Sequence, residues 1–386
     1  MTTDTLIAIT TRIRSRDHVD YGLLWGLVVL GITGIVVNYS ASRQQLINAY
    51  ENPHYYLERQ ALFVVLGFIA MFIVARIDYR RYEIVATPLY IISLFALAGV
   101  FVVGQSALGA ERWYSFGSTI QVQPSEFAVL FLILAIATFC GRRSEGLKMY
   151  DVIRLLVMAA VPLALIVRQP DLGTAIIVVL IVSAMMVIAG VPPRFITLLA
   201  VLGSLGLAGA VYLDLFEKYQ VERITSFLNQ NSTNPNPAVQ GLLYEVQNAK
   251  SAIGSGGIHG AGLFHGLQTT LGYVPEQQTD FIFTAIGEQM GFIGSVAIVC
   301  LLGFISWRMF VIGKNARDTM GRLLCIGIFI FFAFSTFENI GMCMGIMPVT
   351  GVPLPLLSYG GSATLVFCVA GGVVLSVSRR GPTRTP

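Results

Sequence analysis

Ten apolar runs, each about as long as a helix that crosses a bilayer, leave this chain one kind of fold. They cover approximately residues 21–41, 60–77, 84–104, 124–140, 152–168, 173–190, 196–213, 281–307, 322–342 and 362–378. Hydrocarbon offers no partners to peptide N–H and C=O groups, so each run must satisfy its own backbone as a helix. The expected fold is all-α: a polytopic integral membrane protein with ten transmembrane helices, organised as one membrane domain over residues 1–386. Charge agrees. Only 12% of residues are charged, against roughly 25% in soluble domains, too few to coat a water-soluble globule. The same numbers exclude disorder, a coiled coil and a secreted disulfide scaffold. Pro162 lies inside the fifth run and predicts a kink. The first run starts about twenty residues in and lacks a cleavage pattern, so it reads as a retained helix.

Placing the runs in alternation sorts the cations. Residues 1–20, the tail 379–386 and every second loop hold 18 of the 25 Lys and Arg. That side is expected to be cytoplasmic, with both termini on it. Nine or eleven spans would break the alternation. The net charge of +4 is no nucleic-acid signature. Cys140, Cys300, Cys325, Cys343 and Cys368 sit in or beside apolar runs without CxxC spacing, and read as small lipid- or core-facing residues.

One loop is long. Residues 214–280, between runs seven and eight, are expected on the outer side, and long loops in compact folds tend to carry function. This one has an amphipathic stretch Leu215 to Leu228, a breaker cluster Asn234-Pro235-Asn236-Pro237, a helix-like stretch Gly241 to Ile253, and a glycine-rich tract from Gly254 to Gly262.

Acidic residues at the mouths of spans are costly and point to function. By this topology they collect on the outer side: Glu126 opening run four, Asp171 and Arg168 flanking the turn between runs five and six, Asp280 and Glu288 at run eight, Glu338 and Asn339 closing run nine. Glu111, Arg112, Trp113, Gln121 and Gln123 fill the outer loop before run four, and residues 348–355 interrupt the chain with Pro and Gly before run ten. The inner loops are short, basic and plain. The asymmetry predicts a polar cavity open to the outer face. Each residue also has a plain structural role open to it. Asp280 could cap a helix. Glu288 could pair with Arg168 or another buried cation. Glu126, after Pro124-Ser125, suits a first helical turn. Arg112 with Trp113 could anchor the interface. His259 and His265 have no metal-ligand partner set. The glycine tract lacks GxGxxG spacing because residue 259 is His, and no GxxxxGK[ST] is present.

Four segments resemble a known family over nearly the whole chain: Gln123-Pro124-Ser125-Glu126-Phe127; Arg168-Gln169-Pro170-Asp171-Leu172-Gly173-Thr174; Ala252 to Gly257 with Pro275-Glu276-Gln277-Gln278-Thr279-Asp280-Phe281-Ile282-Phe283; and Asn339 to Met342 with Leu354 to Gly361. Together they are similar to the SEDS proteins (shape, elongation, division and sporulation). The Gly266-Leu267-Gln268 and Pro-Glu-Gln variants are more similar to the elongation branch, RodA, than to the division branch, FtsW.

The resemblance implies a peptidoglycan glycosyltransferase in the bacterial cytoplasmic membrane that polymerises lipid II at the outer face, with a class B penicillin-binding protein as partner. It maps the family's essential acid onto Asp280. In the implied reaction Asp280 is the general base, and polyprenyl diphosphate leaves. Arg168, Arg223, Lys250 or a divalent cation (Mg or Mn) would hold the diphosphate; no tightly bound cofactor is expected. Glu126, Asp171, Glu288, Ser358 and Tyr359 complete the expected substrate-binding set. Gly256, Gly257, Gly260 and Gly262 would let the outer loop approach and reshape over long substrates. Four positions depart from the family pattern: Val129 where a Lys is usual, Gln278 for a common His, Glu245 for a common Gln, and Cys343 for a common Asn or Thr. Two other readings stay open, a lipid II flippase and a non-catalytic scaffold for the transpeptidase.

Overall fold

The structure is a computed structural model; it describes residues 19–103, 105–107, 110–116, 120–143, 147–192, 194–199, 201, 203, 218–230 and 239–381. Among these, eight helices are long and apolar enough to cross a membrane. They are α1 (Tyr21–Asn48), α2 (Tyr55–Arg76), α3 (Tyr82–Val103, entered through a 3-10 turn at Tyr79–Arg81), α4 (Pro124–Gly141), α5 (Met149–Arg168), α10 (Ile282–Lys314), α11 (Thr319–Cys343) and α12 (Gly361–Arg379). A shorter apolar helix, α6 (Leu172–Ile188), matches the sixth expected run. Most of the seventh run, 196–213, lies outside the described residues.

Starts follow local chemistry. Asp20 caps α1 by accepting from the Leu23 N–H at 2.9 Å. Pro124 stands in the first turn of α4, where its missing N–H costs nothing. Two helices outrun their apolar runs: α1 continues to Asn48 and α10 to Lys314. Apolar runs stop at the membrane boundary, whereas backbone hydrogen bonding continues into polar sequence.

Burial separates centre from rim. In α4 and α12, 78% of the apolar window is buried, against 22% in α2. A helix apolar all round and buried on most faces belongs in the core. Close packing needs small residues. A Cβ at Gly34 of α1 would overlap the Leu356 carbonyl oxygen, in the connection ahead of α12. Asn38, one turn on, donates to the Leu357 carbonyl. Gly34→Ala is therefore expected to lower the unfolding midpoint of the detergent-purified protein, by about 1–3 kcal/mol of overpacking.

The all-α expectation holds, with one small addition. The loop before α4 forms a small antiparallel sheet, order β1-β2-β3, from β1 (Gln105–Ala107), β2 (Ala110–Phe116) and β3 (Ile120–Val122). Alternation over so few residues is too short to distinguish from a loop. Tyr114 ties the sheet to α3, its hydroxyl donating to the Ala96 carbonyl at 2.8 Å.

The side expected to be plain is not. Its cations pair with acids: Arg80 with Asp318, Arg142 with Glu83, Arg143 with Asp151, Arg308 with Asp20, and Arg380 with Asp78. A cavity of about 410 Å³ opens there beside the Asp20–Arg308 pair.

The long loop expected between runs seven and eight contains α7 (Lys218–Leu228), α8 (Gln240–Ser255) and the short α9 (Leu267–Leu271). Its glycine tract packs against a break in α10 at Gly291, whose φ is +64°. The Ala261 and Gly262 amides donate to the Glu288 and Gln289 carbonyls at 2.9 and 3.0 Å, and those of Phe292 and Ile293 to the Gly257 and Ile258 carbonyls at 2.9 and 3.2 Å. A Cβ at Gly256 or Gly260 would overlap the backbone of α10. These two glycines serve a fixed backbone-to-backbone contact. That corrects the expectation of a reshaping loop: the close approach is present, and it is locked by a hydrogen-bond ladder.

Candidate functional site

Asp280 lies at the end of a tight turn that begins at Pro275. Glu276 takes left-handed geometry, φ +47°. Its carbonyl accepts from the amides of Thr279, Asp280 and Phe281 at 3.2, 3.1 and 3.3 Å. Helix α10 then starts at Ile282 with Phe281 in the cap position and no side-chain cap bond. Asp280 is therefore not the cap of this helix. It is half-buried, and its Oδ2 is 3.2 Å from where a Cβ on Gly351 would stand. Glycine at 351, φ +80°, brings the interrupted outer connection up to the carboxylate.

Two further groups fix this meeting. Asn339, fully buried near the C-terminal end of α11, donates to the carbonyls of both Asp280 and Val352 at 2.8 Å. The Tyr359 amide donates to the Gln278 carbonyl at 2.8 Å. Below the turn, the buried Gln277 side chain donates to Thr269 Oγ1 at 3.1 Å and Thr284 Oγ1 at 3.0 Å. Thr269 in turn donates to Glu288 through its hydroxyl and its amide at 2.6 and 2.9 Å, and the Gln268 amide donates at 2.6 Å. Glu288 thus neither pairs with Arg168 nor offers its oxygens to a substrate. It caps α9 and, through Thr269 and Gln277, moors the turn that carries Asp280.

The two other signature turns dock on each other. Asp171 caps α6 by accepting from the Thr174 amide at 3.3 Å, and its other oxygen accepts from Gln123 Nε2 at 3.0 Å and Ser125 Oγ at 3.2 Å. The Ser362 hydroxyl accepts from the Gln123 amide at 3.4 Å and lies beside the Glu126 carboxyl. Asp171 is therefore spent on joining α4 to α6. Ser358 is likewise committed, its Oγ accepting from the Leu354 amide at 2.8 Å within its own turn. Tyr359 packs edge-on against Tyr56, centroids 4.7 Å apart. Burial pushes its phenol above the ordinary range, opposed by a hydrogen bond from Arg59.

The expected cations also have neighbours. Arg223 lies near Glu245, whose carboxyl is raised by burial, with Arg223 pulling it down and Glu276 pushing it up. Lys250 Nζ donates to Gln230 Oε1 at 2.6 Å, beside Gly345. Arg168 is exposed at the end of α5. The Glu111 and Arg112 side chains lie outside the described set.

The cell cycle protein family of FtsW, RodA and SpoVE matches residues 21–382. The chain belongs to this family. Among relatives of the SEDS group, the peptidoglycan glycosyltransferase MrdB of Escherichia coli K12 is 34% identical over 360 residues, covering 93% of each chain. Stage V sporulation protein E of Bacillus subtilis is 35% identical over 350 residues, covering 90% of this chain and 93% of its own. A chain from a structure described as "Structural coordination of polymerization and crosslinking by a peptidoglycan synthase complex" superposes with a TM-score of 0.78 at 30% identity, covering 95% of this chain and 99% of that one. The rod shape determining protein RodA of Thermus thermophilus superposes at 0.68 with 28% identity, covering 95% and 98%. MrdB and RodA agree with the elongation-type resemblance of this SEDS chain.

Sequence reasoning placed Asn339 at the outer end of its span but gave it no role, and did not single out Gln277 or Gly351. A buried amide in an otherwise apolar helix was the available signal for Asn339. A divalent ion held by protein side chains alone does not fit, since among the described residues no three His, Cys, Asp or Glu converge as a metal-holding group.

Proposed function

We propose that this multi-pass membrane protein is a peptidoglycan glycosyltransferase that polymerises lipid II at the outer face of the cytoplasmic membrane during cell elongation. The observation that carries the reading is the Asp280 carboxylate, presented half-buried at the meeting of the Pro275 turn, Gly351 and the outer end of α11. Asp280 takes the proton from the acceptor sugar hydroxyl. That oxygen bonds to the anomeric carbon of the donor while the bond to diphosphate breaks, and polyprenyl diphosphate departs. One base opposite the leaving group suffices, with no covalent intermediate. Arg168, Arg223 and Lys250 are the cations assigned to the diphosphate. Asn339, Gln277 and Glu288 hold Asp280 in place. The inner cation excess supports cytoplasmic termini. A class B penicillin-binding protein is the proposed partner, cross-linking the strand as it forms.

The test is purified full-length protein with that partner, given labelled lipid II. The expected product is polymeric glycan with release of polyprenyl diphosphate. Leaflet exchange without glycan would make the chain a flippase. Transpeptidation supported without polymerisation would make it a scaffold.

A further inference from the structure

A row of aromatic rings leads away from the turn that carries Asp280. Tyr359, whose amide holds that turn at the Gln278 carbonyl, packs edge-on against Tyr56. Tyr56 packs edge-on against Tyr55, centroids 5.1 Å apart, and His54 precedes Tyr55 in the chain. His54 stacks on Tyr39 of α1 at 5.5 Å, and Tyr39 meets Phe264, just past the glycine tract, edge-on at 5.6 Å. Two arginines stand along the row. The Arg59 guanidinium lies 3.9 Å over the Tyr55 ring and beside the Tyr359 phenol. That of Arg43 lies 5.9 Å from the centre of the Phe264 ring. None of these side chains is sealed in the core: His54 and Phe264 are exposed, and the others are half-buried.

Phe264 shows that the row is more than packing. Its φ is +69°, a left-handed conformation that a bulky residue rarely adopts. Its amide is fixed there by donating to Ser40 Oγ at 3.0 Å and Gln289 Oε1 at 3.2 Å, yet the side chain is 41% exposed. The backbone is held so as to present a ring that the core does not use. Anchoring at a membrane interface accounts for single Tyr and Arg residues at the ends of spans. It does not account for rings from α1, α2, the loop after the glycine tract and the connection ahead of α12 that meet one another and end on the Asp280 turn.

We propose that this row is a binding track for the glycan strand, an inference that rests on the glycosyltransferase reading above. Its occupant is a run of linked N-acetylated pyranose rings that carry acidic peptide stems. The C–H faces of such sugars pack on aromatic side chains, which dominate sites for ligands of this kind. A guanidinium stacked on a ring keeps its N–H edge available to a carboxylate. Glu51 and Glu276 act on Tyr56 by charge, so the row is not uniformly positive, and the stem carboxylates are assigned to Arg59 and Arg43. The track starts two residues before Asp280, at Gln278, and runs to Phe264. It keeps the strand beside the carboxylate between couplings, so that one strand is extended repeatedly before it is released.

The experiment is polymerisation of labelled lipid II by the full-length protein with its partner, the partner's transpeptidase blocked by a β-lactam, with strand lengths compared at equal lipid II consumption. Phe264→Ala, Tyr55→Ala and Arg43→Gln are expected to shorten the mean strand about three- to tenfold. Tyr55→Phe, which keeps a ring under Arg59, is expected to hold the parental length. A purely structural role would not produce this pattern, because a partly unfolded preparation makes less polymer of the same length. Parental lengths in the Ala and Gln variants would overturn the proposal. So would lengths restored by a higher partner concentration, which would make the row a protein-docking surface. If Phe264→Ala does not fold, Tyr55→Ala and Arg43→Gln decide. No polymer from the parent protein is a different outcome: it would remove the glycosyltransferase reading, and the track with it.

Discussion

Asp280→Asn is expected to polymerise lipid II on the order of 10²–10⁴-fold more slowly than the parent protein, with an unchanged unfolding midpoint. The amide has the shape of the acid but cannot accept the proton of the attacking hydroxyl. The fold survives because residue 280 is held through its backbone: its amide donates to Glu276 and its carbonyl accepts from Asn339. Neither bond involves the carboxylate. The measurement is glycan formed per unit time by purified protein with its transpeptidase partner, beside a melting curve of the same preparation. A parental rate in a folded Asp280→Asn protein would remove Asp280 as the base.

Glu288→Ala is expected to cost on the order of 3 kcal/mol or more of stability and to slow polymerisation as well. The substitution strands the Gln268 and Thr269 amides and the Thr269 hydroxyl, all of which donate to this carboxylate. Thr269 then loses its anchor beneath Gln277, and the turn carrying Asp280 loosens. Glu288→Gln keeps one acceptor oxygen and should fall between Ala and the parent in both midpoint and rate. A substrate ligand would behave differently. If Glu288→Ala left the midpoint alone and raised only KM for lipid II, the mooring role would be wrong.

The span ends show how far local sequence reaches. Pro124 and the apolar run 322–342 set helix positions through φ angle and hydropathy, and the structure has helices there, at Pro124–Gly141 and Thr319–Cys343. The sheet over residues 105–122 escaped because its strands are short and pair only with each other. The break at Gly291 escaped for another reason. It is caused by a ladder to Gly257 and Ile258, more than thirty residues earlier in the chain, and hydropathy carries no trace of such a partner.

The acids divide in the same way. Their identity and their place at the ends of spans follow from sequence, because a charge in an apolar run stands out. What each acid does was decided by tertiary contacts. Asp171 and Glu288 meet donors from other segments and became structural. Neither Glu338 oxygen has a hydrogen-bond partner among the described residues. Asp280 comes up against Gly351 and is held through its backbone by Glu276 and Asn339. A carboxylate's role is set by the groups within hydrogen-bond reach, and here those groups arrive from other segments, for Asp171 from 46 and 48 residues away in the chain. Only the folded chain brings them together.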